Sequence, residues 1–123
     1  MSNGWKLEPA CRAALLEQFP PRYARTDADH VTLWPSSAGG IAAEPPPQVG
    51  RARIIGRADD CRGVEAMAVE IDGSATRPDG GTWHITWSLA EGRKPSESNR
   101  VLAEHGFTAI DDGPVVALIP ARW

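Results

Sequence analysis

Lysine is nearly missing from this 123-residue chain, with two Lys (Lys6 and Lys94) against eleven Arg. Cysteine is also scarce: Cys11 and Cys61 stand far apart with no Cys-x-x-Cys spacing. That leaves no disulfide framework and favours a pair of free thiols in a reducing, cytoplasmic setting. Long apolar runs are missing too. The longest are a handful of residues, such as 115–120, where a membrane-spanning helix needs about 20, so no membrane partner is expected. The first ten residues carry no basic, long apolar stretch, which argues against a secretory signal. An excess of positive charge is likewise missing. The formal net charge is −3 and the pI near 5.5, which excludes a protein that coats duplex DNA by neutralising phosphates. The Arg-for-Lys skew suits bidentate phosphate contact, but a GC-rich genome gives the same skew.

What the chain does have is an ordinary globular composition, 41% hydrophobic and 24% charged, over a length that suits one domain, residues 1–123. The spacing of Ala13, Leu15, Leu16 and Phe19 predicts a helix over 8–19, with Pro9 in its first turn and Pro20–Pro21 ending it. Strands are expected at 30–34, 51–58, 64–71, 82–89 and 115–119. A second helix is expected at 97–105, closed by Gly106. Residues 35–50, rich in Pro, Gly, Ser and Ala, form the one long loop, a candidate mobile segment or lid. The order of elements reads as α+β with a mostly antiparallel sheet and two flanking helices.

Two of the three histidines sit in the same local pattern: His30-Val31-Thr32-Leu33 and His84-Ile85-Thr86-Trp87. Thr is six of 123 residues. Two of three histidines having Thr two places on is therefore a chance of less than roughly one in a hundred. Alternation along a strand puts His30 with Thr32, and His84 with Thr86 and Ser88, on one face. Val31, Leu33, Trp83, Ile85 and Trp87 then turn to the core. Two imidazoles facing one pocket can act as base and acid near neutral pH. Neighbouring hydroxyls can donate to non-bridging phosphate oxygens as charge builds on a five-coordinate phosphorus. A 2′,3′-cyclic phosphate suits such a site. One His removes a proton from water, the other supplies one to the departing ribose oxygen, and no metal or other cofactor is required.

The paired tetrapeptides resemble the 2H phosphoesterase superfamily, whose hallmark is two His-x-Thr/Ser-x motifs. Residues 20–33, PPRYARTDADHVTL, look closest to tRNA-ligase-type cyclic phosphodiesterase modules and RNA 2′,3′-cyclic phosphodiesterases. The resemblance covers about residues 20–110 in outline. It implies a bilobal 2H-phosphoesterase-like fold, mostly antiparallel sheets with pseudo-two-fold symmetry and the motifs on central strands. It also implies His84 as the base on water, His30 as the acid on the leaving oxygen, and Thr32 and Thr86 as phosphate clamps. The reverse reaction would swap the two histidines. The motifs are only 54 residues apart, and the chain is shorter than most members of that family.

Further candidates for substrate contact are Tyr23, Arg77, Arg57, Trp34 and Ser88. Tyr23 either folds over the pocket or packs behind Pro20–Pro21. Arg77 and Arg57 either grip phosphate or stay solvated. Trp34 either stacks on a base or joins the core. His105 reads as a helix-end cation rather than a third site residue. The expected partner is an RNA end or nucleotide bearing a 2′,3′-cyclic phosphate, met by a monomeric protein. Two alternatives stay open: a nucleotide- or RNA-end-binding module without turnover, and a small metalloenzyme built on the three histidines.

Overall fold

The computed structural model describes residues 2–34 and 46–123, with the side chain of Trp34 left aside. The fold is α+β: two helices on one large antiparallel sheet of eight strands. In chain order these are β1 (Asn3–Leu7), α1 (Pro9–Gln18), β2 (Arg25–Thr26), β3 (His30–Trp34), β4 (Ala52–Asp59), β5 (Val64–Ile71), β6 (His84–Leu89), α2 (Glu97–His105), β7 (Thr108–Ala109) and β8 (Leu118–Arg122). The strands lie in the order β7-β4-β5-β6-β3-β1-β8, with β2 paired to β6. Neither helix is long and apolar enough to cross a membrane, among the described residues.

Local chemistry explains most boundaries. Glu8 caps α1, its carboxylate accepting from the Ala10 and Cys11 amides, while Pro9 occupies the first helical position. β4 alternates buried and half-buried residues along its whole length, as a strand with one covered face should. β1 was not foreseen. Its alternation is confined to Trp5-Lys6-Leu7, too short to read as a strand, and it becomes one because β3 and β8 pair with it on either side. The strand expected at 115–119 is displaced to Leu118–Arg122. Pro120 is tolerated there because β8 is a sheet edge, where a missing amide hydrogen can face outward.

Residues 114–116 instead hydrogen-bond β4. Ile54 N donates to Pro114 O (3.0 Å) and Val116 N to Ala52 O (2.9 Å). The chain thus leaves one end of the sheet and enters β8 at the other end. The crossing is tight. A Cβ on Gly113 would lie 1.7 Å from the Ile54 carbonyl oxygen. Gly113→Ala is therefore expected to cost about 1–3 kcal/mol, read as a lower urea midpoint.

The two sheet faces differ. One carries Val31, Ile54, Met67, Val69, Ile85 and Trp87, all fully buried, with Leu15 of α1 packed among them. The other carries the small residues Ala58, Ala66 and Ala68, over which Val101 and Leu102 of α2 close. Small side chains on this second face let α2 approach the sheet beside β6. Of the long loop expected at 35–50, residues 35–45 lie outside the described residues, and so does the lid idea. The described remainder is tied down: Trp5 Nε1 donates to Pro47 O (3.0 Å) and Gln48 Nε2 to Leu118 O (3.2 Å).

Candidate active site

Val31 of β3 pairs with Ile85 of β6 in antiparallel register. One step either way sets His30 across from Thr86, and Thr32 across from His84. Directly opposed residues of an antiparallel pair share a face. All four side chains therefore rise from the α2 face, while Val31 and Ile85 are both fully buried on the other. The two motifs thus lie side by side and run in opposite directions.

This register depends on a loop. β2 meets β6 with Thr26 opposite Ser88, two positions out of step with Val31 opposite Ile85. Residues 27–29 take up the difference, with Ala28 buried in a left-handed conformation (φ 48°) and its amide bonded to Thr86 O (2.8 Å). Arg12 of α1 clamps the bulge, donating to Ala28 O (2.8 Å) and Asp27 O (3.0 Å).

His30, Thr32, His84 and Thr86 line one cavity of about 430 Å³. Arg77 from the 73–81 turn enters it, and Pro95, Ser96 and Asn99 at the start of α2 form a wall. Ser2 and Trp123 close the His30 end. The Trp123 ring lies 4.5 Å from the His30 ring, tilted by 51°. The aromatic neighbour of the site is thus Trp123, for which the sequence offered no signal; the expected Trp34 side chain lies outside the described residues.

No family model, curated protein or solved structure matches the chain.

The two histidines have different surroundings. His84 is buried, and its Nδ1 lies 2.8 Å from Thr82 O, which can only accept. Nδ1 therefore carries hydrogen, and Nε2 is the ring nitrogen left for chemistry. Burial, reinforced by Arg77 and His30, lowers the His84 pKa from its ordinary value, against the pull of the Thr82 carbonyl. The neutral form of His84 is thus favoured. His30 is half-buried, its Nδ1 3.0 Å from the Asp29 carboxylate. Lys6 of β1, opposite His30 in register, shares that carboxylate at 2.5 Å. Burial works to raise the Asp29 pKa, but hydrogen bonds from Lys6 and His30 hold it below its ordinary value. A carboxylate at Nδ1 orients the His30 ring.

Arg77 is one of the expected contacts that does reach the cavity. It is 6% exposed and forks onto both Asp79 oxygens (2.8 Å each), with a further bond to Asn99 Oδ1 (3.1 Å). The hydrogen bond from Arg77 holds the Asp79 carboxyl below its ordinary value. Asn99 and Ser96 were missed because their role depends on how α2 docks.

Tyr23, Arg57 and Ser88 do not line this cavity, correcting the expectation that they touch substrate there. All three belong to a network around Glu65, which is fully buried. Glu65 accepts from Arg57 Nε (2.6 Å), Ser88 Oγ (2.7 Å) and the Arg22 amide (3.1 Å). Ser88 also accepts from the Tyr23 amide (3.2 Å), so the 20–24 segment covers it. The Tyr23 hydroxyl donates to Asp59 at 2.5 Å; burial and this bond push its pKa up to about 12. A carboxylate buried beneath an apparently polar strand end was not visible from spacing.

His105 is exposed at the end of α2, beside Arg62 and Arg100 in a separate depression. No cluster of three His, Cys, Asp or Glu side chains suited to a metal occurs among the described residues. Both cysteines are free thiols.

Proposed function

We propose that this protein hydrolyses a 2′,3′-cyclic phosphate, on an RNA end or a small nucleotide, to a phosphomonoester without a metal. The observation that carries the reading is the meeting of both His-x-Thr motifs and Arg77 in one cavity. Phosphorus sits between the imidazoles. His84 Nε2 takes a proton from water as it attacks, and His30 delivers one to the departing ribose oxygen. Thr32, Thr86 and Arg77 hold the non-bridging oxygens as negative charge grows on them. The unlike surroundings of the two rings support this division of labour over the reverse: burial favours the neutral form of His84, which suits a base, while His30 is less buried and has its Nδ1 engaged by Asp29, which leaves Nε2 for the departing oxygen.

The pairing of the two motif-bearing strands, β3 and β6, side by side supports the resemblance to 2H phosphoesterases. Binding without turnover is the competing reading. Incubation with a panel of nucleoside 2′,3′-cyclic phosphates in EDTA, products resolved by chromatography, separates the two. The expected result is a 2′- or 3′-phosphomonoester. Binding with no product would leave a recognition module, and activity restored only by added metal would sink the mechanism.

The pH dependence follows from His84. Burial depresses its folded pKa below the ordinary imidazole value of about 6.5. The base therefore stays unprotonated into mildly acidic solution, and the acid limb of kcat/KM is expected below pH 6.5. The same depression has a stability consequence. The unfolded chain binds the proton more readily, so the contribution of His84 is fully present above about pH 6.5 and is lost as pH falls towards the folded value. An acid limb above pH 7 would contradict the assignment of His84 as base.

A further inference from the structure

We infer that Ser98 is a positioning residue that aims the Thr86 hydroxyl at the bound phosphate; this rests on the phosphate-binding reading above. Ser98 is fully buried on α2. Its Oγ lies 2.8 Å from Thr86 Oγ1, and its own amide donates to Pro95 O at 3.1 Å. Thr86 Oγ1 lies 3.2 Å from the same Pro95 oxygen.

The proton count settles the directions. A buried hydroxyl that fails to donate is costly. Pro95 O can only accept, and Thr86 has one proton, which points to it. Ser98 must then donate to Thr86 Oγ1. The chain runs Ser98 to Thr86 to Pro95, and its last link is the longest. That link is also the cheapest to break, because Pro95 O keeps the Ser98 amide when Thr86 turns away. A phosphate oxygen entering the cavity offers a charged acceptor in place of a neutral one. The Thr86 proton swings to it, while Ser98 continues to feed the Thr86 oxygen. Hydrogen bonds in such a chain strengthen one another, so the Thr86 proton becomes a better donor. Ser98 therefore touches no substrate and acts through Thr86. Among the described residues no hydroxyl is bonded to Thr32 in this way, so the two clamps differ although the motifs match.

A double-mutant cycle tests this, using wild type, Ser98→Ala, Thr86→Val and the double variant. Each is measured for kcat and KM on a nucleoside 2′,3′-cyclic phosphate, for the dissociation constant of adenosine 2′-monophosphate by calorimetry, and for its melting temperature. Ser98→Ala is expected to lower kcat/KM about tenfold and weaken binding of the monophosphate in parallel. In the Thr86→Val background it should change neither. A loss of the same factor in both backgrounds, or no loss from Ser98→Ala, overturns the proposal. If Ser98→Ala does not fold, Ser98→Cys, close in shape but a poor donor, takes its place. Should wild type bind adenosine 2′-monophosphate but hydrolyse nothing, the hydrolase reading falls and the cycle in binding still judges Ser98. Should wild type bind nothing, both fall.

Discussion

His84→Ala and His30→Ala are each expected to lower kcat/KM for a nucleoside 2′,3′-cyclic phosphate by about 10³-fold, within the range that general acid or base catalysis contributes. The two losses should differ in kind. Without His84 no buried neutral nitrogen remains to take the proton from water. The variant also strands the Thr82 carbonyl that held Nδ1 at 2.8 Å. Without His30 the departing ribose oxygen must leave as an alkoxide or find a proton from solvent. The double variant should be little worse than either single one, because the groups act in one transition state and not in sequence. Circular dichroism and the urea midpoint check that the sheet survives; His84→Gln serves if alanine at that buried position disturbs packing. Wild-type rates in both single variants would end the phosphodiesterase reading. A large loss from only one would leave a single-histidine site, with the other imidazole serving structure.

Glu65→Ala is expected to destabilise the protein by about 3–5 kcal/mol, the cost of removing one member of a buried ion pair. Glu65 is fully buried, and its carboxylate is the common acceptor for Arg57, Ser88 and the Arg22 backbone. Removing it leaves the Arg57 guanidinium, 19% exposed, without its carboxylate. The Ser88 hydroxyl and the 20–24 segment lose their anchor as well. Glu65→Gln keeps an acceptor for Ser88 but gives up the charge, so a smaller loss is expected. Urea unfolding measures both. The turnover of the folded Glu65→Gln protein should stay close to wild type, because this network lies outside the histidine cavity. If that variant kept its stability and lost turnover, Arg57, Ser88 and Tyr23 would return as substrate contacts.

The histidine cavity and the Glu65 network were not equally legible in the sequence. The period-two alternation of the His-x-Thr motifs placed His and Thr on one face of each strand, since successive side chains of a strand point oppositely. That is a local property, and it held at both motifs. Ser88 satisfies the same alternation and yet leaves the site, because the 20–24 segment covers that end of β6. Parity decides which face a residue takes, but what lies over the face is decided by distant chain. Arg57 and Arg77 looked alike in sequence. One is drawn to a buried carboxylate on β5, and the other is held by Asp79 and Asn99 at the cavity wall.

From the sequence alone came the α+β class, four of the eight strands (β3, β4, β5 and β6), the candidate site residues and their pairing within each motif. These follow from periodicity, capping and turn chemistry, which act over a few residues. The tertiary structure decided the Val31–Ile85 register that brings the two motifs together, the Ala28 bulge that sets it, and the unlike environments of the two imidazoles. Those depend on contacts between segments many residues apart. Hydrogen-bond partners and burial, which determine whether an imidazole is neutral or charged, exist only once the sheet has assembled and α2 has closed over it.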